Sequence, residues 1–271
     1  MKIFTLNGSK TALNIFAGLC LFTLVYFGFL HNSGAVAVSG EPAKTSYLAI
    51  VITGFGSGND GTREFMYMDI PMTAAVMPAS PGTVEEARQL LASGKEVIIH
   101  MPMEDRNMRN IQFPEINIMN SHTKGEARAA LLKAIDQIPA ATGIANYLGS
   151  RVMENEELLT TILSTTIEHS LYFIDTAANP SKASHMAENL GTKVFESNIV
   201  IDGSGDIGRI ERNLRRAAAI AEEKGFAIAI GRVGPGGGRA TAQAITNMKA
   251  ELTSKGIVFV TLTELSNFMA E

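Results

Sequence analysis

Only one cysteine, Cys20, stands in the 271-residue sequence. A lone cysteine cannot form a disulfide within the chain, so cysteine usage gives no information about the redox compartment. An excess of basic residues is also missing, because the formal net charge is −4 and the pI is near 5.8. The sequence therefore lacks the cationic surface that phosphate backbones require, which argues against a nucleic-acid partner and leaves neutral sugars open.

An uncharged apolar run is the main feature of the N-terminal region. Lys2 and Lys10 precede this run, which covers residues 12–30 and matches the roughly 20 residues that cross a bilayer core. Cationic residues before the run and few after it predict a cytoplasmic N-terminus and a body outside the cytoplasm. The Ala-Val-Ala at residues 35–37 fits a signal-peptidase site. Since the run is longer than in most cleaved signals, we expect an anchor in the cytoplasmic (inner) membrane, with a secreted or periplasmic product as the alternative.

The chain divides into three parts. Residues 1–30 form the predicted signal anchor, and residues 31–45 are small and polar without periodicity, as expected for a flexible linker. Residues 46–271 alternate short apolar or β-branched runs with segments of helical period. With 46% hydrophobic residues, this length of chain can bury a sizeable core.

Alternating strands and helices predict an α/β fold for the third part. Strand candidates are Tyr47–Thr53, Met72–Met77, Glu96–His100, Gly143–Tyr147, Leu171–Asp175, Lys193–Ile201, Phe226–Gly231 and Ile257–Thr261. Helix candidates are Ala87–Ala92, Ala127–Ile138, Glu154–Glu168, Ser181–Leu190, Ile207–Lys224 and Ala240–Ser254. Two helices follow predicted capping boxes, Thr83 with Glu86 and Thr123 with Glu126. Four glycines stand where C-caps are expected: Gly94, Gly191, Gly225 and Gly256.

The order of these elements favours a barrel. Repeated strand-then-helix units predict parallel pairing with right-handed crossovers, which leaves an open doubly wound sheet or a (β/α) barrel. Seven or eight units in about 225 residues suit the barrel better. In either architecture the functional residues belong at the carboxyl ends of the strands.

A glycine-rich turn follows the first strand candidate at residues 52–58. A dinucleotide fingerprint requires a helix that opens at the last glycine and an acidic residue at the end of the second strand. Here the glycines continue into Asn59 and Asp60, and the second strand ends in Met77 and Pro78. We therefore predict a mobile loop and no nucleotide cofactor.

The third strand candidate ends in a histidine that a carboxylate follows. Residues 97–104 have the sequence V-I-I-H-M-P-M-E, which places His100 four residues before Glu104. An imidazole and a carboxylate at this spacing can be metal ligands or an acid/base pair. A histidine that is only hydrogen-bonded structure is the alternative.

Residues 94–104, G-K-E-V-I-I-H-M-P-M-E, resemble the G-x-E-x-x-x-H-x-P-M-E signature of the divergent polysaccharide deacetylase family. Further segments follow in the family's order at residues 73–78, 143–150, 172–175 and 225–232. The resemblance implies a distorted (β/α) barrel of the polysaccharide deacetylase type, related to carbohydrate esterases. It also implies removal of acetyl groups from amino sugars outside the cytoplasm, with a divalent metal such as zinc held by one Asp and two His, and a second Asp as base.

Several positions depart from the pattern of that family, including Ser197-Asn198 in place of its Arg-Asp. The family's Asp-Asp at the end of the first strand is Thr53-Gly54 here, so both a base and a ligand are missing. The histidine of the N-N-H-M-G-S motif is Tyr147, a phenol that rarely ligates zinc. The histidine of the late G-H-P motif is Arg232, a permanent cation.

The resemblance leaves a reduced set of candidate site residues. Catalytic roles are assigned to His100, Glu104 and Asp175. Substrate-binding roles are assigned to Asn146, Tyr147, Ser150, Asp202 and Arg232. His100 is the one metal candidate; we expect no cofactor, or zinc if the site is functional. Two further hypotheses are that Asp60 replaces a lost ligand and that residues 234–239 cradle an anion with Arg232 or form a flexible lid.

Three functions remain open, and the sequence leaves enzymatic activity undecided. The first is a glycan-binding or accessory protein with a degenerate site, acting on a peptidoglycan-type carbohydrate of the cell envelope. The second is a hydrolase that removes N- or O-acetyl groups with a site rebuilt around His100. The third is an envelope scaffold that binds proteins.

Overall fold

The computed structural model describes residues 45–107, 113–176, 182–192 and 194–269. The predicted anchor, the cleavage site and nearly all of the linker lie outside the described residues. The helices in those four ranges lack the length and hydrophobicity of a membrane span.

Parallel strands and helices alternate along the described residues. The strands are β1 Ser46–Phe55, β2 Thr73–Val76, β3 Glu96–Met103, β4 Gly143–Leu148, β5 Tyr172–Asp175, β6 Val194–Glu196, β7 Ile199–Val200, β8 Phe226–Arg232 and β9 Ile257–Val260. The helices are α1 Thr62–Met66, α2 Thr83–Ala92, α3 Lys124–Gln137, α4 Glu156–Glu168, α5 Ala183–Asn189, α6 Ile207–Lys224, α7 Arg239–Ser254 and α8 Leu262–Phe268. A short 3₁₀ turn covers Val152–Glu154.

All strand pairs are parallel, in the order β6-β5-β4-β3-β2-β1-β8-β7, with β9 paired to β1. One side of β1 pairs with β8 over residues 47–53, so the other side is shared by β9 at residues 46–49 and β2 at residues 51–55. No ladder joins β6 to β7 in the described part of the chain. The fold is therefore a parallel α/β half-barrel, which confirms the predicted barrel-like architecture.

The single strand predicted at Lys193–Ile201 is wrong. The backbone N–H of Ser197 donates to Asp175 O of β5, and the next residue, Asn198, donates to Ile228 O of β8. The Asn198 side chain also accepts a hydrogen bond from the Ile228 N–H. The chain thus passes from a contact with β5 to a contact with β8 between Ser197 and Asn198, which divides the predicted strand into β6 and β7.

The strands are buried on both faces, which explains their continuous apolar sequences. Along β1, Leu48, Ile50 and Ile52 belong to the core between sheet and helices, whereas Ala49 and Val51 face the barrel interior. The interior cluster also contains Leu262 and Leu265 of α8. This short helix therefore closes the amino end of the barrel.

Most predicted helix ends lie within two residues of the observed ones. Thr123 and Glu126 form the predicted capping box of α3. All four predicted cap glycines have φ between 68° and 89°, a region that favours glycine. The capping box predicted at Thr83 is wrong, because Gly82 is the N-cap of α2 and Thr83 lies inside the helix. A capping box at Thr261 and Glu264 begins α8, where the sequence predicted the end of a strand.

Candidate functional site

A cleft with a volume of about 1160 Å³ opens at the carboxyl ends of the strands. Side chains alternate between the two faces of a strand, so each interior residue is followed two positions later by another. The interior residues Val51, Ile98, Ala145 and Ile230 are followed in this way by the cleft residues Thr53, His100, Tyr147 and Arg232. The retained histidine and the family's substituted positions, including Gly54, thus line one cleft.

His100 is buried at the floor of this cleft, with 5% of its surface exposed. Its ring meets the ring of Tyr147 edge to face, with centroids 5.1 Å apart. Burial, and to a lesser extent the positive charge of Arg232, lowers the pKa of His100 to about 3, opposed by an interaction with the Asn146 backbone. The imidazole is therefore neutral at physiological pH, and its Nδ1 has no hydrogen-bond partner among the described residues.

The end of β1 carries no carboxylate. The Thr53 hydroxyl donates to Gly231 O at 3.1 Å, which ties β1 to β8. Gly54 has a φ of 89°, and its carbonyl accepts from the Asn59 side chain at 2.9 Å. A non-glycine residue at position 54 would be strained in this conformation, so the backbone itself now disfavours the family's second Asp.

The glycine-rich turn after β1 is held by Glu86 of α2. Its carboxylate accepts hydrogen bonds from Gly56 N at 2.8 Å and from Gly58 N at 2.5 Å. These donors are the ones that a phosphate cradle would need, and a protein carboxylate already occupies them. The turn is tied to a helix, which differs from the mobile loop that the sequence predicts.

Arg232 and Asp202 meet at the wall of the cleft. The Asp202 side chain is fully buried, and its Oδ2 accepts from Arg232 N at 2.7 Å and from the Thr241 hydroxyl at 3.1 Å. Arg232 Nε lies 3.3 Å from Asp202 Oδ1. Burial raises the pKa of Asp202, although these hydrogen bonds and the charge of Arg232 act in the opposite direction. Asp202 does not line the cleft; it positions Arg232, which does.

Asp60 is engaged at the start of α7. Its Oδ2 accepts from Arg239 N at 3.0 Å, and its Oδ1 forms an ion pair with Arg239 Nε at 2.6 Å. The carboxylate therefore occupies the positive end of the helix, where the sequence suggested an anion site. The hypothesis that Asp60 replaces a metal ligand and the hypothesis of an anion cradle at residues 234–239 both conflict with these contacts.

Glu104 and Asp175, two of the residues assigned catalytic roles, are not among the cleft-lining residues. Glu104 accepts from Asn120 N at 2.7 Å and pairs with Arg151 Nη1 at 2.9 Å, so it holds two loops to the end of β3. Asp175 ends β5 one position after the interior residue Ile174, which places it on the other face of the strand. Its successor Thr176 lines the cleft instead, a residue that the alternation of β5 would have identified.

Asn146 and Ser150 do line the cleft. Asn146 accepts from Thr176 N at 2.9 Å and donates to Leu148 O at 2.7 Å, so its amide organises the ends of β4 and β5. The Ser150 hydroxyl accepts from Arg106 N at 3.0 Å.

A family model described as divergent polysaccharide deacetylase matches residues 50–266. The chain belongs to this family. Its relatives include the uncharacterized protein YibQ of Escherichia coli, which is 27% identical over 220 residues, or 81% of this chain and 68% of YibQ.

Two solved structures share the fold. The first is the uncharacterized protein ATU2773 of Agrobacterium tumefaciens, with a TM-score of 0.75 at 20% identity over 83% of this chain and 90% of that one. The second is a family 4 carbohydrate esterase of Streptomyces lividans in complex with acetate, with a TM-score of 0.51 at 12% identity over 79% of this chain and 91% of that one.

The donor set of this family member does not fit the metal that the family resemblance implies. A zinc site needs at least three well-placed nitrogen, oxygen or sulfur ligands. No group of three His, Cys, Asp or Glu side chains with a metal-binding arrangement occurs in the described ranges. Around His100 the structure places a phenol, a hydroxyl, a glycine and a guanidinium, none of which replaces a carboxylate or an imidazole as a zinc ligand.

Proposed function

We propose that the protein is an extracytoplasmic glycan-binding or accessory member of its family that does not carry out metal-dependent deacetylation. The observation that carries this proposal is the contrast between a retained cleft and a replaced donor set. The cleft lies at the carboxyl ends of the strands, where barrel enzymes bind their substrates. Yet Thr53, Gly54, Tyr147 and Arg232 line it where carboxylates and imidazoles would be needed.

The remaining lining suits a sugar. Tyr147 offers an aromatic ring, and the hydroxyls of Ser57 and Thr176 share the lining with it. Binding pockets commonly combine apolar surface with a few fixed hydrogen-bonding groups, and aromatic rings with a polar end are frequent in them. The cleft therefore supports binding of a polyhydroxylated ligand without supporting hydrolysis.

The alternative of a hydrolase rebuilt around His100 is weakened by the electrostatics of the site. A general base works best when its pKa is near the operating pH. The pKa of His100 is lowered to about 3, so the imidazole is a poor proton acceptor at neutral pH. Its assigned partners Glu104 and Asp175 are also absent from the cleft lining.

Cellular location is part of the proposal. We propose that the apolar run at residues 12–30 anchors the chain in the cytoplasmic membrane and that the half-barrel lies outside the cytoplasm. This location would give the cleft access to envelope glycans of the peptidoglycan type.

The test measures metal content, acetate release and binding on the same full-length protein. We expect less than stoichiometric zinc, no acetate released from N-acetylglucosamine oligomers, and saturable binding of glycan by calorimetry. Stoichiometric metal with acetate release would overturn the proposal, and loss of that release in His100→Ala would establish the rebuilt hydrolase. Absence of any glycan binding would instead favour the scaffold function.

A further inference from the structure

We propose that the cleft recognises an acidic glycan and that Arg232 binds its carboxylate group. This inference rests on the proposed glycan-binding function and names the class of ligand. It starts from the charges in the cleft and from their partners.

The charged side chains that line the cleft among the described residues are three cations and two anions: Arg106, Lys182, Arg232, Asp105 and Glu154. Arg106 forms an ion pair with Glu154. Lys182 pairs with Glu156 at 2.6 Å, a residue outside the lining. Two of the three cations thus have a close carboxylate partner, whereas Arg232 has only the longer contact with Asp202.

Arg232 keeps most of its binding capacity. Its Nε lies 3.3 Å from Asp202 Oδ1, while Asp202 Oδ2 is already occupied by Arg232 N and Thr241. The terminal nitrogens of the guanidinium donate no hydrogen bond within the part of the chain that the structure describes, and 48% of the side chain is exposed. A guanidinium with two free parallel donors matches the geometry of a carboxylate, which it binds through two hydrogen bonds.

The same charges favour a monoanion over a phosphate. His100 is neutral and adds no second positive charge. Asp105 and Glu154 lie in the same lining and would repel a doubly charged ligand. Because Arg106 and Lys182 are already paired with Glu154 and Glu156, Arg232 is the lining cation left for a ligand, and one such cation fits a sugar that carries a single carboxylate.

The experiment compares one glycan with and without its charge. Full-length protein is titrated in low salt with the disaccharide of N-acetylglucosamine and N-acetylmuramic acid, which carries one carboxylate, and with the methyl ester of the same disaccharide. We expect the acid to bind roughly tenfold more tightly than the ester, since one charge-assisted bidentate contact is of this order. Arg232→Gln should remove this preference.

Arg239→Gln is the matched control. Arg239 lies seven residues after Arg232 and carries the same charge, but it pairs with Asp60 and is not part of the cleft lining. We expect Arg239→Gln to retain the preference for the acid. Arg232→Lys keeps the charge without the forked donors, so it should keep a preference smaller than tenfold and serves if Arg232→Gln folds poorly.

Failure of the inference and failure of the proposed function give different binding results. If wild type binds acid and ester with equal affinity, acid recognition is overturned and the proposed glycan binding stands. If wild type prefers the acid and folded Arg232→Gln prefers it equally, the assignment to Arg232 is overturned. If neither glycan binds, the proposed function fails together with the inference.

Discussion

One polar group at each end shows how the two ends of the half-barrel differ: the half-buried Glu96 at the amino end and the buried His100 at the carboxyl end. At the amino end, the Glu96 carboxylate accepts hydrogen bonds from Thr73 Oγ1 at 2.5 Å, Thr142 Oγ1 at 2.8 Å and Leu262 N at 2.9 Å. At the carboxyl end, His100 Nδ1 has no partner among the described residues. Buried polar groups are nearly always satisfied, so a saturated group indicates structure and an unsatisfied one in a cleft indicates ligand binding.

Closure of the amino end follows from the same contacts. Glu96 anchors the first turn of α8, and the ring of Phe268 at the end of that helix stacks on Tyr47 with centroids 4.3 Å apart. Burial, followed by the charge of Glu96, raises the pKa of Tyr172 well above its ordinary value, so the phenol stays protonated in this network. The carboxyl end has no such helix over it within the described residues and remains open as the cleft.

The largest effect is expected at the amino end. Glu96→Ala removes the acceptor of several hydroxyl and backbone donors at once, and we expect a loss of about 3 kcal/mol in the free energy of unfolding. Urea denaturation of the full-length protein measures this loss. Glu85→Ala is the control, because Glu85 is an exposed carboxylate whose partners among the described residues, Arg88 and Gln89, lie on its own helix; the unfolding midpoint of this variant should not change. A loss for Glu96→Ala below about 1 kcal/mol would show that Glu96 is not structural.

A second effect appears when the pH is lowered. His100 has a pKa of about 3 in the folded protein against 6.5 for the ordinary group. Between about pH 6.5 and 3, His100 is therefore protonated in the unfolded chain and neutral in the folded protein. The free energy of unfolding falls as the pH drops through this range. At pH 5 this loss is about 2 kcal/mol, or 1.5 pH units at about 1.36 kcal/mol each.

The measurement is the difference in unfolding free energy between wild type and His100→Leu at pH 7.5 and at pH 5. We expect the difference to shift by about 2 kcal/mol in favour of the variant at pH 5. The raised pKa of Asp202 acts with the opposite sign, but it is common to both proteins and cancels. An unchanged difference would mean that His100 titrates normally in the folded state.

The smallest effect on stability is expected for His100→Leu at pH 7.5. Removal of a polar group that has an unsatisfied atom costs little, so we expect a change within about 1 kcal/mol. Glycan binding should nevertheless decrease, because His100 forms the floor of the cleft. A large loss of stability at pH 7.5 would place His100 with Glu96 as a structural residue and remove the contrast between the two ends.

Much of the fold was predictable because its signals are local. The helix predicted at Ile207–Lys224 has those bounds in the structure, with Asp206 as N-cap and Gly225 in the left-handed conformation after it. Periodicity and capping depend on neighbouring residues only. Prediction was wrong where the side chain that gives a local signal binds a distant segment. Glu86 was predicted to complete a capping box, but its carboxylate accepts hydrogen bonds from Gly56 and Gly58.

The candidate site likewise has residues that the sequence predicted correctly and residues that it did not. The His100 motif and the substitutions at Tyr147 and Arg232 are visible in the sequence, and strand alternation carries these residues to one cleft. Glu104 and Asp175 have the residue types of catalytic groups, but one binds Asn120 and Arg151 and the other lies on the opposite face of its strand. The partners of Glu104 come from distant loops that no spacing encodes, whereas strand alternation places Asp175 away from the cleft once the bounds of β5 are known.

Residue patterns alone predicted the α/β class, the parallel order of the elements and the family. Each of these can be recognised from short segments of sequence. Contacts across long separations decided which polar residues remain available to a ligand. Asp60 pairs with Arg239, and Asp202 accepts from Thr241 and the Arg232 backbone, whereas the terminal nitrogens of the Arg232 guanidinium donate no hydrogen bond among the described residues. A charge is available for binding only when the folded chain leaves it without a close partner, and this depends on distances that are set when the strands and loops pack.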